Sequence, residues 1–598
     1  MERGNMNVVL YWQNQARKYA ERPAYRVKVN GEWVDRSWKG YGEVVRRLGI
    51  GLLSLGVKHG DRVALLGSTR EEWDLADRAT LAIGGVGVGV YHSNTPEQVA
   101  YILDHSESRI LVVENKEQWR KIEAIREKIP HVQKFVMMDT SSDVSDPDMM
   151  SFGEVLELGR KHEDGLEGEY WSRGQNIEMS DAAICVYTSG TTGPPKGALL
   201  THGNIMAILE SFRETRIFCP EEDRTVAWLP LPHVFGRFVI LSGIHNANVW
   251  SYAGGAETLI DDLAEIKPTV FHSVPRMYEK IHHRMISAME RASPLRRRIL
   301  DSCLKVGQEV SRRRIEKKPI PFSLRVQHAI AERLVFKRVR DLFGGRIRCA
   351  VTGGAPLSKE LLEFFHAAGI LILEGYGLTE SPCAAFNRPD SFRFGTVGPA
   401  VPGMEVKIAE DGEILLRSPI VFSGYLKDPT KTEEAFRDGA WYCTGDIGVL
   451  SPDGFVTITD RKKDIIITAG GKNVAPQNIE NLLKTSPMIS QAMVYGDRKP
   501  YLTALITLEP EELASWAEAQ GIRGTSLYEL SRDQRVRNLV ADIVKEKNQH
   551  LAGFETIKKF TILSQDFSQE AGEVTPTLKV KRRFVSEKYS DLLEKMYA

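Results

Sequence analysis

The first 180 residues alternate short apolar runs with stretches of helical spacing. Asp61-Arg62-Val63-Ala64-Leu65-Leu66-Gly67 reads as a buried strand, and the pattern after it predicts a helix from about Glu71. Ile110-Leu111-Val112-Val113 and Lys134-Phe135-Val136-Met137-Met138 repeat that arrangement. Strands alternating with helices of about 10–15 residues specify βαβ units, hence an α/β fold with mostly parallel sheets. Residues 140–180, rich in Ser, Asp, Gly and Glu, read as a loop-heavy connection. There is no internal repeat and no long low-complexity tract.

Two later stretches differ in texture. Residues 276–340 hold 18 Lys and Arg against 6 Asp and Glu, a net +12, set among helical apolar spacing. This is either a solvated helical face or a patch that meets an anionic membrane or an anionic ligand. Near residue 460, Asp460-Arg461-Lys462-Lys463-Asp464 forms a charged, solvent-seeking run between two apolar strands. The remainder has the size of a small domain, so we expect a large domain over 1–459 and a small one over 460–598.

Over the whole chain, 79 basic residues balance 79 acidic ones among 598, with 42% hydrophobic and 26% charged residues. That balance gives no general attraction to nucleic acid and excludes disorder, collagen and coiled coil as global descriptions. Cys185, Cys219, Cys303, Cys349, Cys383 and Cys443 are scattered without a CxxC pair. They point to a reducing compartment and not to structural zinc. With neither a secretory leader nor a run of about 18 apolar residues, a cytoplasmic protein is expected, docked at most peripherally at the inner face of a membrane.

The most informative segment is Tyr187-Thr188-Ser189-Gly190-Thr191-Thr192-Gly193-Pro194-Pro195-Lys196-Gly197. Glycines and small hydroxyl residues let backbone N–H and side-chain O–H donors wrap phosphate oxygens, and Lys196 adds a point charge. It is not a Walker A loop, because no glycine precedes Lys196 and Gly197 follows it. The flanking runs predict strand–loop–strand, Ala182–Val186 and then Ala198–Thr201, and not strand–loop–helix.

This string resembles the phosphate loop of the adenylate-forming (ANL) superfamily, and the resemblance continues in order along nearly the whole chain. Gly353-Gly354-Ala355-Pro356 is similar to the adenine-pocket segment, and Glu374-Gly375-Tyr376-Gly377-Leu378-Thr379-Glu380 to the core nucleotide motif. Trp441-Tyr442-Cys443-Thr444-Gly445-Asp446 resembles the ribose-binding segment. Asp460-Arg461-Lys462-Lys463-Asp464 and Gly470-Gly471-Lys472-Asn473 resemble the hinge and a mobile loop beyond it. Thr575-Pro576-Thr577-Leu578-Lys579-Val580-Lys581-Arg582 resembles the C-terminal lysine motif, with Leu578 where many members have glycine.

The resemblance implies a large multi-layer α/β domain, a small mobile α+β domain, and ATP-dependent activation of a carboxylic acid to acyl-AMP. Its nucleotide set is Thr188, Ser189, Gly190, Thr191, Thr192, Gly193, Lys196, Gly354, Ala355, Pro356, Glu374, Gly375, Tyr376, Gly377, Thr379, Asp446 and Arg461. Tyr376 would face adenine, Thr379 the α-phosphate and Asp446 the ribose hydroxyls. Thr188 and Glu380 are the implied Mg²⁺ set. Lys579 is the candidate adenylation lysine, with Lys581 as competitor. The hinge is Asp460, with Lys463 beside it, and the loop Gly470, Gly471 and Lys472 is on the coenzyme A side.

Leu229-Pro230-Leu231-Pro232-His233-Val234-Phe235-Gly236-Arg237 resembles the acyl-pocket segment, giving His233, Val234 and Gly353 as acyl-substrate residues. The basic stretch 276–340 and the form of Gly345 to Ser358 resemble the long-chain fatty acyl-CoA synthetase branch. The implied substrates are a fatty acid, ATP and coenzyme A. Alternatives are a fatty acyl-AMP ligase serving a carrier protein, a ligase for medium-chain or other acids, a luciferase-like oxygenase and a non-catalytic binder. Oligomeric state stays open, a homodimer included.

Overall fold

The apolar runs of the first half resolve into one eight-stranded sheet. In order it is Gly424–Tyr425, Lys196–Thr201, Ala182–Thr188, Val86–Tyr91, Arg62–Gly67, Ile110–Val113, Lys134–Met137 and Met149–Ser151. From Ala182–Thr188 to Met149–Ser151 all neighbours are parallel, while Lys196–Thr201 and Gly424–Tyr425 close the edge antiparallel. The structure, a computed structural model, describes residues 6–598 except 140, 142–143, 145, 189–193, 291–292, 523–525 and 576–578. The helix expected from about Glu71 spans Glu71–Ala82.

The expected loop-heavy connection is corrected: it contains helices Phe152–Lys161 and Glu163–Gln175. Ser151 and Glu154 form a reciprocal capping box that starts the first. Phe152, Val155 and Gly159 turn inward at helical spacing against the helix Trp38–Ser54. A Cβ at Gly159 would stand 1.9 Å from the Arg47 carbonyl oxygen, so glycine there is a close-packing residue. Composition alone concealed this, because a glycine such as Gly159 serves helix contact while Gly165 and Gly168 simply sit on an open helix surface.

A second parallel set, Val270–Ser273, Cys349–Thr352 and Ile372–Tyr376, is extended antiparallel by Ala385–Phe386. A third, four-stranded sheet joins Arg224–Ala227, Val249–Tyr252, Pro23–Val29 and Glu32–Ser37. An antiparallel sheet contains Glu405–Ile408, Glu413–Arg417, Trp441–Leu450, Phe436–Arg437 and Val456–Arg461. Residues 276–340 are helical: Pro275–Glu290, Pro294–Ile315, Phe322–Ala331, a π-turn over Glu332–Phe336 and Lys337–Asp341.

Beyond Arg461 the chain builds separate hydrophobic clusters between Ile466 and Met596 around the sheet Ile489–Tyr495, Leu502–Leu508, Ile557–Ile562. Asp460 is buried at the end of the preceding strand, which corrects its reading as part of a solvent-seeking run. The segments before and after this point meet through Arg276, which donates to Ser490 O at 3.0 Å and Ser490 Oγ at 2.7 Å and pairs with Glu509 at 3.0 Å. Lys484 pairs with Glu279 at 3.2 Å.

A buried charge network ties one wall of the site to the large sheet. Arg237 pairs with Asp77 at 3.2 Å, donates to Gly87 O at 3.3 Å and lies 4.8 Å over the Trp73 ring. Asp77 also holds Arg78, which pairs with Asp74, and Tyr252 donates to Asp74 at 2.9 Å. Buried charges persist only when paired in this way. The network fixes the helix Val234–Asn246 against the strand Val86–Tyr91.

Candidate active site

A cavity of about 930 Å³ opens where the parallel strands Val270–Ser273, Cys349–Thr352 and Ile372–Tyr376 end at their carboxyl side. That is where open α/β sheets place ligands. The strands Ala182–Thr188 and Lys196–Thr201 form the predicted hairpin beside it, Thr188 standing opposite Lys196. The loop it carries, with Ser189, Gly190, Thr191, Thr192 and Gly193, lies outside the described residues.

One end of the cavity is polar. Thr188, Lys196, Thr379, Glu380, Arg461 and Lys579 line it together. Tyr425, which no sequence pattern had singled out, links two of them. Its hydroxyl donates to Glu380 Oε1 at 2.8 Å, and the Lys196 ammonium sits 4.7 Å from the centre of its ring. Tyr425 reaches this position because Gly424–Tyr425 pairs with Lys196–Thr201 across more than two hundred residues of sequence.

Asp446 lies buried behind this wall. The Tyr376 hydroxyl donates to its Oδ2 at 2.7 Å, and Arg461 Nε reaches its Oδ1 at 3.1 Å. The pairing of Trp441–Leu450 with Val456–Arg461 sets Asp446 directly opposite Arg461. The Thr444 hydroxyl accepts from the Asp446 N–H at 3.1 Å and fixes the turn.

Lys579 enters from the C-terminal segment. Thr575 N–H donates to the Lys579 carbonyl at 2.8 Å, and Lys579 N–H donates to Thr575 Oγ1 at 3.1 Å. Burial, with the Arg461 charge adding to it, lowers its ammonium to about 8. Lys579 lines the cavity and forms no ion pair within 4 Å among the described residues, although the Asp446 and Asp464 carboxylates partly offset its charge. Lys581 also lines the cavity, and burial lowers it too. Of the two lysines, Lys579 is the one on which the charges of Arg461 and Asp446 act.

The other end is apolar, and sequence reasoning missed most of it. Phe235, His272, Phe218, Phe212 and Phe386 form a continuous run of ring contacts with centroids 5.6–6.5 Å apart. Ile217, Phe238, Val239 and Ser242 complete the wall. Gly353 joins the two ends, since a Cβ there would meet the Phe235 ring at 3.6 Å. Among the residues expected on the acyl side, His233, Val234 and Gly353 all line the cavity. His233 caps the helix Val234–Asn246, its Nδ1 accepting from Phe235 N–H at 3.1 Å. Burial lowers it to about 4, so it is neutral with its proton on Nε2.

Several residues expected at the site are not brought to the cavity. Gly354, Gly375, Tyr376 and Gly377 line it, but Glu374, Ala355 and Pro356 do not, and Asp446 stays buried behind the lining residues Tyr376 and Arg461 that it contacts. Glu374 is buried within its strand, and burial raises its carboxyl to about 8. Asp460 accepts from Arg461 N–H at 2.6 Å and lies near Arg582; burial raises it to about 6. Lys463 lines the cavity, whereas Gly470, Gly471 and Lys472 sit in the hairpin between Ile466–Ile467 and Asn473–Val474, away from it.

The chain belongs to the AMP-binding enzyme family. The family profile matches residues 12–426, and that of the AMP-binding enzyme C-terminal domain matches 463–598. It is 37% identical to the long-chain-fatty-acid–CoA ligase FadD15 of Mycobacterium bovis over 582 residues, 96% of this chain and 94% of the relative. It is 33% identical to the long-chain-fatty-acid–CoA ligase ACSBG2 of Gallus gallus, over 98% of this chain and 80% of the relative. In fold it is similar to the adenylation domain of a Mycobacterium chelonae carboxylate reductase, with TM-score 0.77 and 22% identity, covering 100% of this chain and 92% of the other. No helix among the described residues is long and apolar enough to cross a membrane.

Proposed function

We propose that this protein converts a long-chain fatty acid, ATP and coenzyme A to acyl-CoA, AMP and pyrophosphate. The observation that carries this reading is that one cavity joins an aromatic wall to Lys196, Glu380, Arg461 and Lys579. Its volume of about 930 Å³ is at the upper end of small-molecule sites and has room for a long acyl chain beside a nucleotide. Near-full-length identity to long-chain-fatty-acid–CoA ligases supports the same substrate class.

In this reading a fatty carboxylate oxygen attacks the α-phosphorus of ATP, the α–β bridging bond breaks, and pyrophosphate leaves. Two anions must approach, so the chain's task is positioning and charge neutralisation. Lys579 bridges the carboxylate and α-phosphate oxygens, and Lys196 meets the leaving phosphates. Tyr376 and Asp446 hold the adenosine, and His233, through its Nε2–H, orients the acyl end. Glu380 and the Thr188 hydroxyl are hard oxygen donors of the kind that bind Mg²⁺ together with phosphates and water. When bound, that ion neutralises phosphate charge.

The second step replaces AMP by the thiol sulfur of coenzyme A at the acyl carbon. We assign residues 1–459 and 460–598 to two domains, with Asp460 as the hinge. Rotation about it withdraws Lys579 and brings Gly470, Gly471 and Lys472 toward the thiol entrance. The Arg276 and Lys484 contacts are those that such a rotation breaks. Because a long acyl chain partitions into bilayers, we place substrate encounter at a membrane, through the basic stretch 276–340.

The test is pyrophosphate release from MgATP with acids from acetate to stearate, with and without coenzyme A. Turnover that peaks with long chains and requires coenzyme A is the expected result. A single burst that ignores coenzyme A indicates a carrier-protein acceptor, and no release with any acid rejects the reading.

A further inference from the structure

Among the described residues, seven of the fourteen exposed large hydrophobic side chains fall between Leu295 and Leu334. Four of them repeat every four residues: Phe322 at 81% exposure, Val326 at 45%, Ile330 at 55% and Leu334 at 46%. They run along the helix Phe322–Ala331 and its π-helical continuation. The opposite side of that stretch already packs: Ala331, Val335, Phe336 and Val339 are buried in the hydrophobic cluster of the second parallel sheet. The outward stripe therefore owes nothing to the core. On the adjacent helix Pro294–Ile315, Leu295 and Ile299 are exposed as well.

Cations interleave with the stripe. Arg325, Arg333 and Lys337 are exposed at helical spacing beside Val326, Ile330 and Leu334. Lys337 pairs with Asp341 at 2.8 Å and Arg325 donates to the Ile320 carbonyl, but no carboxylate pairs with Arg325, Arg333 or Arg338 among the described residues. A contiguous apolar stripe edged by Lys and Arg is the composition of a helix lying in a lipid headgroup layer.

We infer that the outward face from Phe322 to Leu334 is a docking surface for an anionic phospholipid leaflet, with Phe322 and Ile330 entering the acyl boundary. Charge complementarity selects this occupant. The stretch 276–340 carries a net +12 in a chain whose total charge is zero, so it is attracted to anionic headgroups. A second copy of the same face would bring like charges together, and nucleic acid would leave the apolar row unmatched. The inference rests on the membrane encounter proposed above and narrows it to one helix face; vesicle binding tests it without measuring catalysis, so its failure leaves the reaction standing.

The experiment is co-sedimentation of the full chain with phosphatidylcholine vesicles with and without phosphatidylglycerol, over a range of salt. Binding is expected only with phosphatidylglycerol, and it weakens as salt rises. The double variant Val326→Glu/Ile330→Glu lowers the partition coefficient about tenfold or more, and Arg325→Glu/Arg333→Glu removes most of the salt dependence. Circular dichroism melting midpoints within about 2 °C of the parent confirm that these surface variants fold. Failure of the parent to bind anionic vesicles at low salt overturns the inference, as does parent-like binding by Val326→Glu/Ile330→Glu. It is also overturned if light scattering shows a dimer that this variant converts to monomer, which assigns the face to a second copy.

Discussion

The Tyr376 hydroxyl donates to Asp446 Oδ2 at 2.7 Å while Arg461 holds Oδ1, so one buried carboxylate is oriented by a strand end and by the strand opposite it. A carboxylate has about four lone-pair sites, and in the proposed reaction the two left over would take the ribose hydroxyls. Tyr376→Phe keeps the ring but removes one donor, at about 1–2 kcal/mol. Its KM for ATP is expected to rise about tenfold with kcat little changed. Asp446→Ala removes the acceptor itself and should raise KM about a hundredfold. Steady-state kinetics in ATP distinguish the two, and equal effects would mean that the tyrosine contributes more than orientation.

Lys579 acts as a cation, so its pH dependence has a definite sign. Burial lowers its ammonium to about 8, and it is charged below that pH and neutral above. The kcat/KM for pyrophosphate release should fall as pH rises through about 8. Lys579→Arg stays charged and should move this limb to higher pH, whatever its absolute rate. Lys579→Ala should abolish acyl-AMP formation and leave thioester formation from preformed acyl-AMP largely intact. Equal loss of both steps would refute that division.

Glu380 is expected to set the requirement for divalent cation. Glu380→Gln keeps an acceptor for the Tyr425 hydroxyl but loses the negative charge. The Mg²⁺ concentration for half-maximal pyrophosphate release should rise about tenfold or more, as expected for a hard ion losing an anionic ligand. Tyr425→Phe should shift it less. A titration that superimposes Glu380→Gln on the parent would remove Glu380 from the metal set.

Glu374 makes a prediction about stability. Burial raises its folded-state value to about 8, above the ordinary carboxylate range, so the folded chain binds this proton more tightly than the unfolded chain does. The resulting stabilisation is full below about pH 4 and is lost as pH rises toward and through 8. Glu374→Gln cannot ionise, and its melting temperature should fall less between pH 6 and 9 than the parent's, on the order of 1 kcal/mol per pH unit in the titrating window. Parallel melting curves would show that the carboxyl is already ionised in the fold.

Ser242 is a small residue on the acyl wall, within the helix that the Asp77–Arg237 pair anchors. Ser242→Phe fills space there, and the preferred acid should shorten by several carbons while kinetics in ATP stay within about twofold. Overpacking costs about 1–3 kcal/mol, which the open cavity partly absorbs. An unchanged chain-length profile would place the acyl terminus elsewhere.

Several local features were legible in the sequence because they depend on near neighbours. The strand Arg62–Gly67, the helix after it, and the hairpin around Thr188 and Lys196 follow from apolar runs, glycines and small hydroxyl residues close together in the chain. The order of short motifs likewise carried the family and its chemistry, since each motif is contiguous. The helices at 152–175 were not legible, because Gly159, which permits close packing against the helix Trp38–Ser54, and the exposed Gly165 and Gly168 look in one dimension like loop residues.

Tertiary structure decided which residues share a space. Tyr425 reaches Glu380 and Lys196 only through strand pairing over more than two hundred residues, and the aromatic wall draws Phe212, Phe218, Phe235, His272 and Phe386 from five elements or loops. Glu374 is buried and stays out of the cavity, while Tyr376 two residues on lines it and donates to Asp446. Sequence thus determined the chemical groups and the local elements that carry them. Long-range packing decided their surroundings, because burial and distance set both pairing and protonation.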